Sequence, residues 1–198
     1  GDILLASTYL GGSKNDGATH MSNPLVKNYG DQYRGEVMID SSDYIYVTSV
    51  TGSTDFPVKN GFQNSYSGGE TDGVVAKFTP DLTSMEWCSY LGGSGNDAAY
   101  SLKVGADSTV VITGGTMSPN FPVTAGSYQT SHKGFIDGFV VMLEQNPLRL
   151  RHSSFVGTSD YNQAYFVDMD SDAYVYVLGQ TSGDFPVINN TGRPLYAV

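Results

Sequence analysis

Disulfide chemistry is out of reach of this chain, because Cys88 is its only cysteine. That count alone leaves the redox compartment open. Charge is also scarce, at 15% of residues, and mostly of one sign: 20 Asp and Glu stand against 10 Lys and Arg, for a net charge of −10. A phosphate backbone needs a basic face, and none is visible, so nucleic acid is excluded as a partner. The same sign argues against electrostatic attachment to anionic lipid. No run of 18 apolar residues occurs, so no transmembrane helix is expected. The three histidines, His20, His132 and His152, lack any His-x-x-x-His metal spacing. Gly1-Asp2-Ile3-Leu4-Leu5 lacks the basic and apolar regions of a signal peptide, as a mature or excerpted segment would.

What the chain does hold is glycine (24), tyrosine (14) and phenylalanine (9). Aromatic rings favour a half-buried pleated surface, and glycine-rich connections favour tight turns, so a turn-rich β protein is expected. The chain also repeats itself. Phe-Pro-Val occurs at Phe56-Pro57-Val58, Phe121-Pro122-Val123 and Phe185-Pro186-Val187, about 65 residues apart. A period of this kind marks a modular array.

In the second copy, strands are predicted at Ala98 to Val104 and Thr109 to Thr113, joined by the turn Gly105-Ala106-Asp107-Ser108. Two more follow the Phe-Pro-Val loop, at Asp137 to Leu143 and Leu148 to Val156. The first copy gives Gly35 to Ile39, Tyr44 to Ser49, Asp72 to Phe78 and Met85 to Leu91, with Asp40-Ser41-Ser42-Asp43 at the hairpin turn. The third gives Ala164 to Met169 and Tyr174 to Leu178 only. Ile3 to Leu10 reads as the fourth strand of a preceding copy.

Four antiparallel strands in about 65 residues is the size of one β-propeller blade. A β-sandwich should not repeat the same loop triplet at this interval. The expected fold is therefore all-β: a β-propeller section of four-stranded antiparallel blades, two full and two partial. Residues 1–12 are the last strand of a preceding blade, 13–93 the first full blade, 94–158 the second, and 159–198 a partial third. Such a section cannot close a ring alone, so the remaining blades are expected from the rest of a longer chain or from other copies. One segment breaks the period: Tyr9 to Tyr90 spans 81 residues, Tyr90 to Phe155 spans 65. The 16 extra residues fall near 13–32, and a core strand should not absorb them, so a loop at one end of the blade is expected. Insertions on repeats often mark the binding face.

Ser7-Thr8-Tyr9-Leu10-Gly11-Gly12-Ser13 with Asn15-Asp16, and Ser89-Tyr90-Leu91-Gly92-Gly93-Ser94-Gly95-Asn96-Asp97-Ala98, resemble the opening of the bacterial SBBP β-propeller repeat. Asp40-Ser41-Ser42 leading into Tyr44-Ile45-Tyr46-Val47-Thr48, then Asp55-Phe56-Pro57 and Asp72-Gly73-Val74-Val75-Ala76-Lys77-Phe78, continue the pattern. The third copy departs from it, with Phe155-Val156-Gly157-Thr158 for Tyr-Leu-Gly-Gly and Asn162-Gln163 for Asn-Asp. The resemblance implies large secreted or surface proteins, often of Bacteroidota, exported by type IX secretion and associated with adhesion or gliding motility. It implies no particular reaction.

Candidate chemistry is sparse. Asp168, Asp170 and Asp172 alternate as Ca²⁺ ligands can, but lack the glycine and closing glutamate of an EF-hand loop. A hairpin turn capped by Asp and Ser side chains is the preferred reading, and no cofactor beyond that Ca²⁺ alternative is implied. Gly92 to Asp97 could cradle phosphate only before a helix, and a strand follows; a connection using positive-φ glycines is expected. Asp72 and Asp137, each before glycine, could pair at a channel mouth as glycosidase carboxylates do, but equivalent blades give identical environments, and acid–base work needs different ones. Backbone bonding is preferred for both. Phe56, Phe121 and Phe185 should plug the blades, and Trp87 should pack. Asn189-Asn190-Thr191 fits an N-glycosylation sequon.

The expected function is a non-enzymatic extracellular binding, adhesion or scaffold module whose partner is a protein or glycan surface, with His20, Tyr29 and Tyr33 of the insertion as its contact residues. The alternatives are a polysaccharide-active enzyme, which needs a cluster of non-repeated Asp, Glu, His or Tyr, and a passive cargo segment engaged by export machinery.

Overall fold

The computed structural model describes residues 3–185. They form three antiparallel sheets. The first holds β1 (Glu36–Ile39), β2 (Ile45–Thr51), β3 (Asp72–Phe78) and β4 (Met85–Leu91), each paired with the next. The second holds β5 (Asp97–Val104), β6 (Val110–Thr116), β7 (Asp137–Gln145) and β8 (Leu148–Val156) in the same order. The third pairs β9 (Asn162–Met169) with β10 (Val175–Thr181). None of the sheets closes on itself. Among the described residues there is no α-helix, only a 3-10 turn at Asp31–Tyr33, and no helix long and apolar enough to cross a membrane.

The first and third hairpin turns follow one chemistry. Asp40 Oδ1 accepts the N–H groups of Ser42 and Tyr44, and Asp170 Oδ1 accepts those of Asp172 and Tyr174. Each of the three turns ends on a residue with positive φ, and these lie one period apart: Asp43 (65°), Ser108 (65°) and Ala173 (64°). The strands match the sequence expectation within a few residues, with one informative excess. β6 runs on through Gly114-Gly115 to Thr116, where glycine suggested a strand end. A Cβ on Gly114 would collide with the Ala98 carbonyl oxygen of β5 and lie 2.6 Å from the Phe139 ring of β7, so the glycine is required by the close approach of both neighbouring strands.

The long connection after each of the first two Phe-Pro pairs lies along the outer strand of its own sheet. Lys59 and Cys88 exchange backbone hydrogen bonds, and Tyr90 N–H reaches Gln63 O. In the second copy Thr124 N–H bonds Ser153 O and Phe155 N–H bonds Gln129 O. Backbone groups that would be left open on β4 and β8 are thereby partly satisfied, which blunts both edges. Phe56 and Phe121 are buried, and Phe121 stacks on Phe139 with centroids 4.5 Å apart. Phe185 is the last described residue; Pro186-Val187 and the sequon at Asn189-Asn190-Thr191 lie outside the described residues.

The sheets pack face to face, β1–β3 against β5, and β5–β7 against β9. The main core lies between the first two and gathers Tyr46, Val75, Trp87, Leu102, Ile112, Phe139 and Phe155. Trp87 meets Tyr46 edge-on at 6.0 Å, a packing role. Ile3 to Leu10, expected as a strand, is not one. Ile3, Leu4, Leu5 and Tyr9 are exposed, and only Leu10 packs on the first sheet. A strand needs a hydrogen-bonding edge, and the third strand of a preceding copy, which would supply it as β3 does for β4 and β7 for β8, is not among the described residues.

Candidate functional site

The repeated polar residues hold the sheets' connections together. Asp97 Oδ2 accepts Gly93 N–H at 2.7 Å and the Ser118 hydroxyl at 2.7 Å; Asn120 Oδ1 accepts Ser94 N–H and its hydroxyl, each at 2.8 Å. One copy earlier, Asp16 takes Gly12 N–H and the Ser53 hydroxyl, and Asp55 takes Ser13 N–H and its hydroxyl. The glycines of this motif are not at positive φ, contrary to expectation. They are required by close approach: a Cβ on Gly92 would lie 2.5 Å from Asp72 Oδ1, and one on Gly93 2.6 Å from Ser118 Cβ. Strand register also places Asn162, not Gln163, level with Asp97, because both open their strands opposite a threonine.

The insertion does not lie in a loop at the sheet's end. It interrupts the first strand. Asp16 still bridges Thr51, and Gly17 N–H still bonds Val50 O, so the strand begins in register. The chain then leaves, closes a neck where Thr19 N–H meets Gln32 O, and returns to pair Glu36 with Thr48. The other copies explain why this is tolerated. At the corresponding place Tyr100 and Tyr165 are bulges, skipped in the pairing of β5 and β9. The ladder is already broken there, and the insertion enlarges the break.

The excursion crosses to the second and third sheets. Leu25 is buried with Ala98, Tyr100, Ile136 and Tyr165, and its carbonyl accepts Gln163 Nε2 at 2.9 Å. Asp31, buried, accepts Lys27 N–H, Asn28 N–H and Arg34 Nε. Arg34 lies over the Tyr165 ring, 4.1 Å from its centroid, and Tyr165 OH meets Tyr161 OH at 2.6 Å. Burial pushes the Tyr100, Tyr161 and Tyr165 hydroxyls above their ordinary value, so they stay protonated. These residues form a buried polar cluster that the sequence did not reveal, in which the repeated tyrosines Tyr100 and Tyr165 meet the unrepeated Asp31 and Arg34. Its only trace was the pair Ala-Tyr at Ala99-Tyr100 and Ala164-Tyr165, a bulge that no propensity marks.

The expected contact residues divide. Tyr29 and Tyr33 are exposed on the excursion. His20 lines a solvent-open hollow of about 450 Å³ with Lys14, Asn15, Ala18, Gly52, Tyr66, Gly69, Glu70 and Thr71. Its Nδ1 is engaged with the Ser22 hydroxyl at 2.7 Å. Asn23 Nδ2 holds one oxygen of Glu70, at 3.3 Å. The Thr71 hydroxyl is buried and has no partner. Tyr29 and Tyr33 do not line this hollow.

Asp168, Asp170 and Asp172 are not brought together as ligands, and among the described residues no group of three acidic, His or Cys side chains could hold a metal ion. Asp168 pairs with Lys103 at 2.8 Å, which holds its carboxyl below the usual value. Asp170 is lowered by the Tyr174 N–H and the Tyr176 hydroxyl. The structure also pairs Asp72 differently from the sequence reading. Asp137 bonds Lys133 N–H, Gly134 N–H and Gln129 Nε2. Asp72 bonds Ser67 N–H, while its Oδ1 is buried without a partner. Its neighbour is Asp97, across the two sheets: a Cβ on Gly92 would lie 2.5 Å from Asp72 Oδ1 and 2.9 Å from Asp97 Oδ2. Burial pushes Asp72 up to about 8, with Asp97 adding to it, and burial pushes Asp97 up to about 6.

No family model matches the chain, and no curated protein matches it.

Proposed function

We propose that this chain is a section of a secreted or surface β-propeller whose role is binding, adhesion or scaffolding rather than catalysis. The observation that carries the reading is the division of labour among its polar residues. Those that recur are engaged in turns and connections, such as Asp16, Asp97, Asp40 and Asp170. Among those that do not recur, Asp31, Arg34, His20 and Glu70 gather on and around the excursion from the first strand. A rigid stack of sheets presenting one unique loop is the usual design of a binding scaffold. Propeller architecture is favoured by the shared strand order, the 65-residue period and the face-to-face stacking.

The partner is a protein or glycan surface contacted by the exposed Tyr29, Tyr33 and the region of His20. The test replaces residues 18–35 with the short Ala-Tyr bulge of the second copy and screens both proteins on glycan and protein arrays. A folded replacement that loses the parent's array signal is expected. A folded replacement that binds as the parent does would overturn the assignment. Tyr29→Ala with Tyr33→Ala, both exposed and harmless to folding, is the companion variant; it is expected to weaken the same signal.

A further inference from the structure

The hollow beside His20 exists because the first copy departs from the second at its walls. Gly52 stands where the second copy has Met117, each following the threonine whose hydroxyl accepts the next serine's N–H. Thr71 stands where the second copy has Ile136, each giving its carbonyl to the residue that opens the next sheet. Glu70 stands where it has Phe135. In the second copy Met117 packs against the apolar cluster that contains Ile136. In the first copy no side chain stands at Gly52 to fill the corresponding space, and the lining includes Thr71, whose hydroxyl is buried without a partner. Leaving a hydroxyl so placed is costly unless something bonds it. The replacements therefore do not read as drift within a packed core.

We propose that this hollow is a binding site for a neutral polyhydroxylated ring, a single pyranose unit of a glycan; this deepens the binding reading above and rests on it. The walls offer one cation, Lys14, one carboxylate, Glu70, the imidazole of His20 and the hydroxyl of Thr71. An anion would meet Glu70, and a cation would meet Lys14. A neutral ligand with adjacent hydroxyls uses donor and acceptor together, and the half-buried Tyr66 supplies an apolar wall. About 450 Å³ admits one such ring with its bound water.

The experiment titrates the protein with methyl pyranosides of glucose, galactose, mannose and N-acetylglucosamine, following amide shifts of Gly69, Glu70 and Thr71 by NMR. At least one is expected to saturate with a Kd on the order of 1 mM. Gly52→Met, which copies the second copy's residue into the hollow, should weaken it at least tenfold at some cost in melting temperature, because its Cβ would lie 3.2 Å from the Glu70 carbonyl oxygen; Thr71→Val should weaken it severalfold at the parent's melting temperature. No saturable shift from any of the four would overturn the proposal, as would a folded Gly52→Met variant that binds like the parent. Saturation by glycine or inorganic phosphate instead would overturn it too, assigning the hollow to a zwitterion or an anion. An array signal that depends on residues 18–35 yet survives Gly52→Met would remove this proposal and leave the broader binding role standing.

Discussion

At the scale of single residues, the most consequential pair is Asp72 with Asp97. In an unfolded chain Asp72 would ionise near pH 3.9. In the fold, burial and the neighbouring Asp97 hold it protonated up to about 8. Between those limits the unfolded chain releases a proton that the native state keeps. The contribution of this group to stability is therefore full below about pH 4, falls as pH rises, and is lost above about 8. Asp72→Asn keeps an acceptor for Ser67 N–H and turns an amide donor towards Asp97. It should flatten the decline, so that the variant gains on the parent by at least about 1.4 kcal/mol between pH 5 and pH 8.5. Urea midpoints across that range measure it, and parallel curves for the two proteins would refute it. The sequence could single out Asp72 but not its neighbour. It suggested Asp137, one period away, because periodicity is visible in one dimension; the approach of Asp97 depends on how two sheets stack. Asn162, level with Asp97 at the next junction, removes one of the two acids there.

At the scale of elements, hairpins were the most legible part of the chain. Alternating apolar residues around Asp-Ser and Gly-Ala-Asp-Ser turns gave six of the ten strands as the paired arms of hairpins, because turn chemistry and side-chain period are both local. The first strand of the first copy was misjudged for the converse reason. A ladder broken at a bulge leaves no mark in propensity, so an insertion at that point looks like an end loop. The turns themselves carry a test. Asp43 and Ser108 tolerate a positive φ because short polar side chains do so at modest cost, but Ala173 adopts φ 64° with only a methyl group. Ala173→Gly should stabilise the third hairpin by about 1 kcal/mol. Thermal unfolding would detect it, and a loss of stability would show that the left-handed conformation is not adopted there.

At the scale of the whole molecule, the two outermost sheets each present apolar surface. Leu10, Val37, Ile45, Val47, Val74 and Phe78 line a hollow of about 410 Å³ on the first sheet. Phe166, Tyr176 and Leu178 are exposed on the third. Between the sheets, surfaces of the same kind are covered by the next copy of the repeat. In the propeller reading, further sheets of the repeat cover these two as well. The described chain by itself should then bind a dye such as ANS and associate as its concentration rises. Leu178→Lys should reduce both, by sedimentation and fluorescence. A monomer at all concentrations with no dye binding would count against further sheets.

The break at Tyr100 and Tyr165 gives the architecture a docking port for new sequence. A segment spliced at such a bulge starts and ends at neighbouring points of an already paired strand, so it adds little closure entropy, and the ladder bonds it costs are confined to the residues beside the bulge, where Ala99 pairs with Gly114 in the second copy. The first copy shows the port in use, with its passenger seated across two neighbouring sheets. For protein engineering, this makes the first strand of the sheet the position in this repeat from which foreign peptides can be displayed with their roots held in a paired strand.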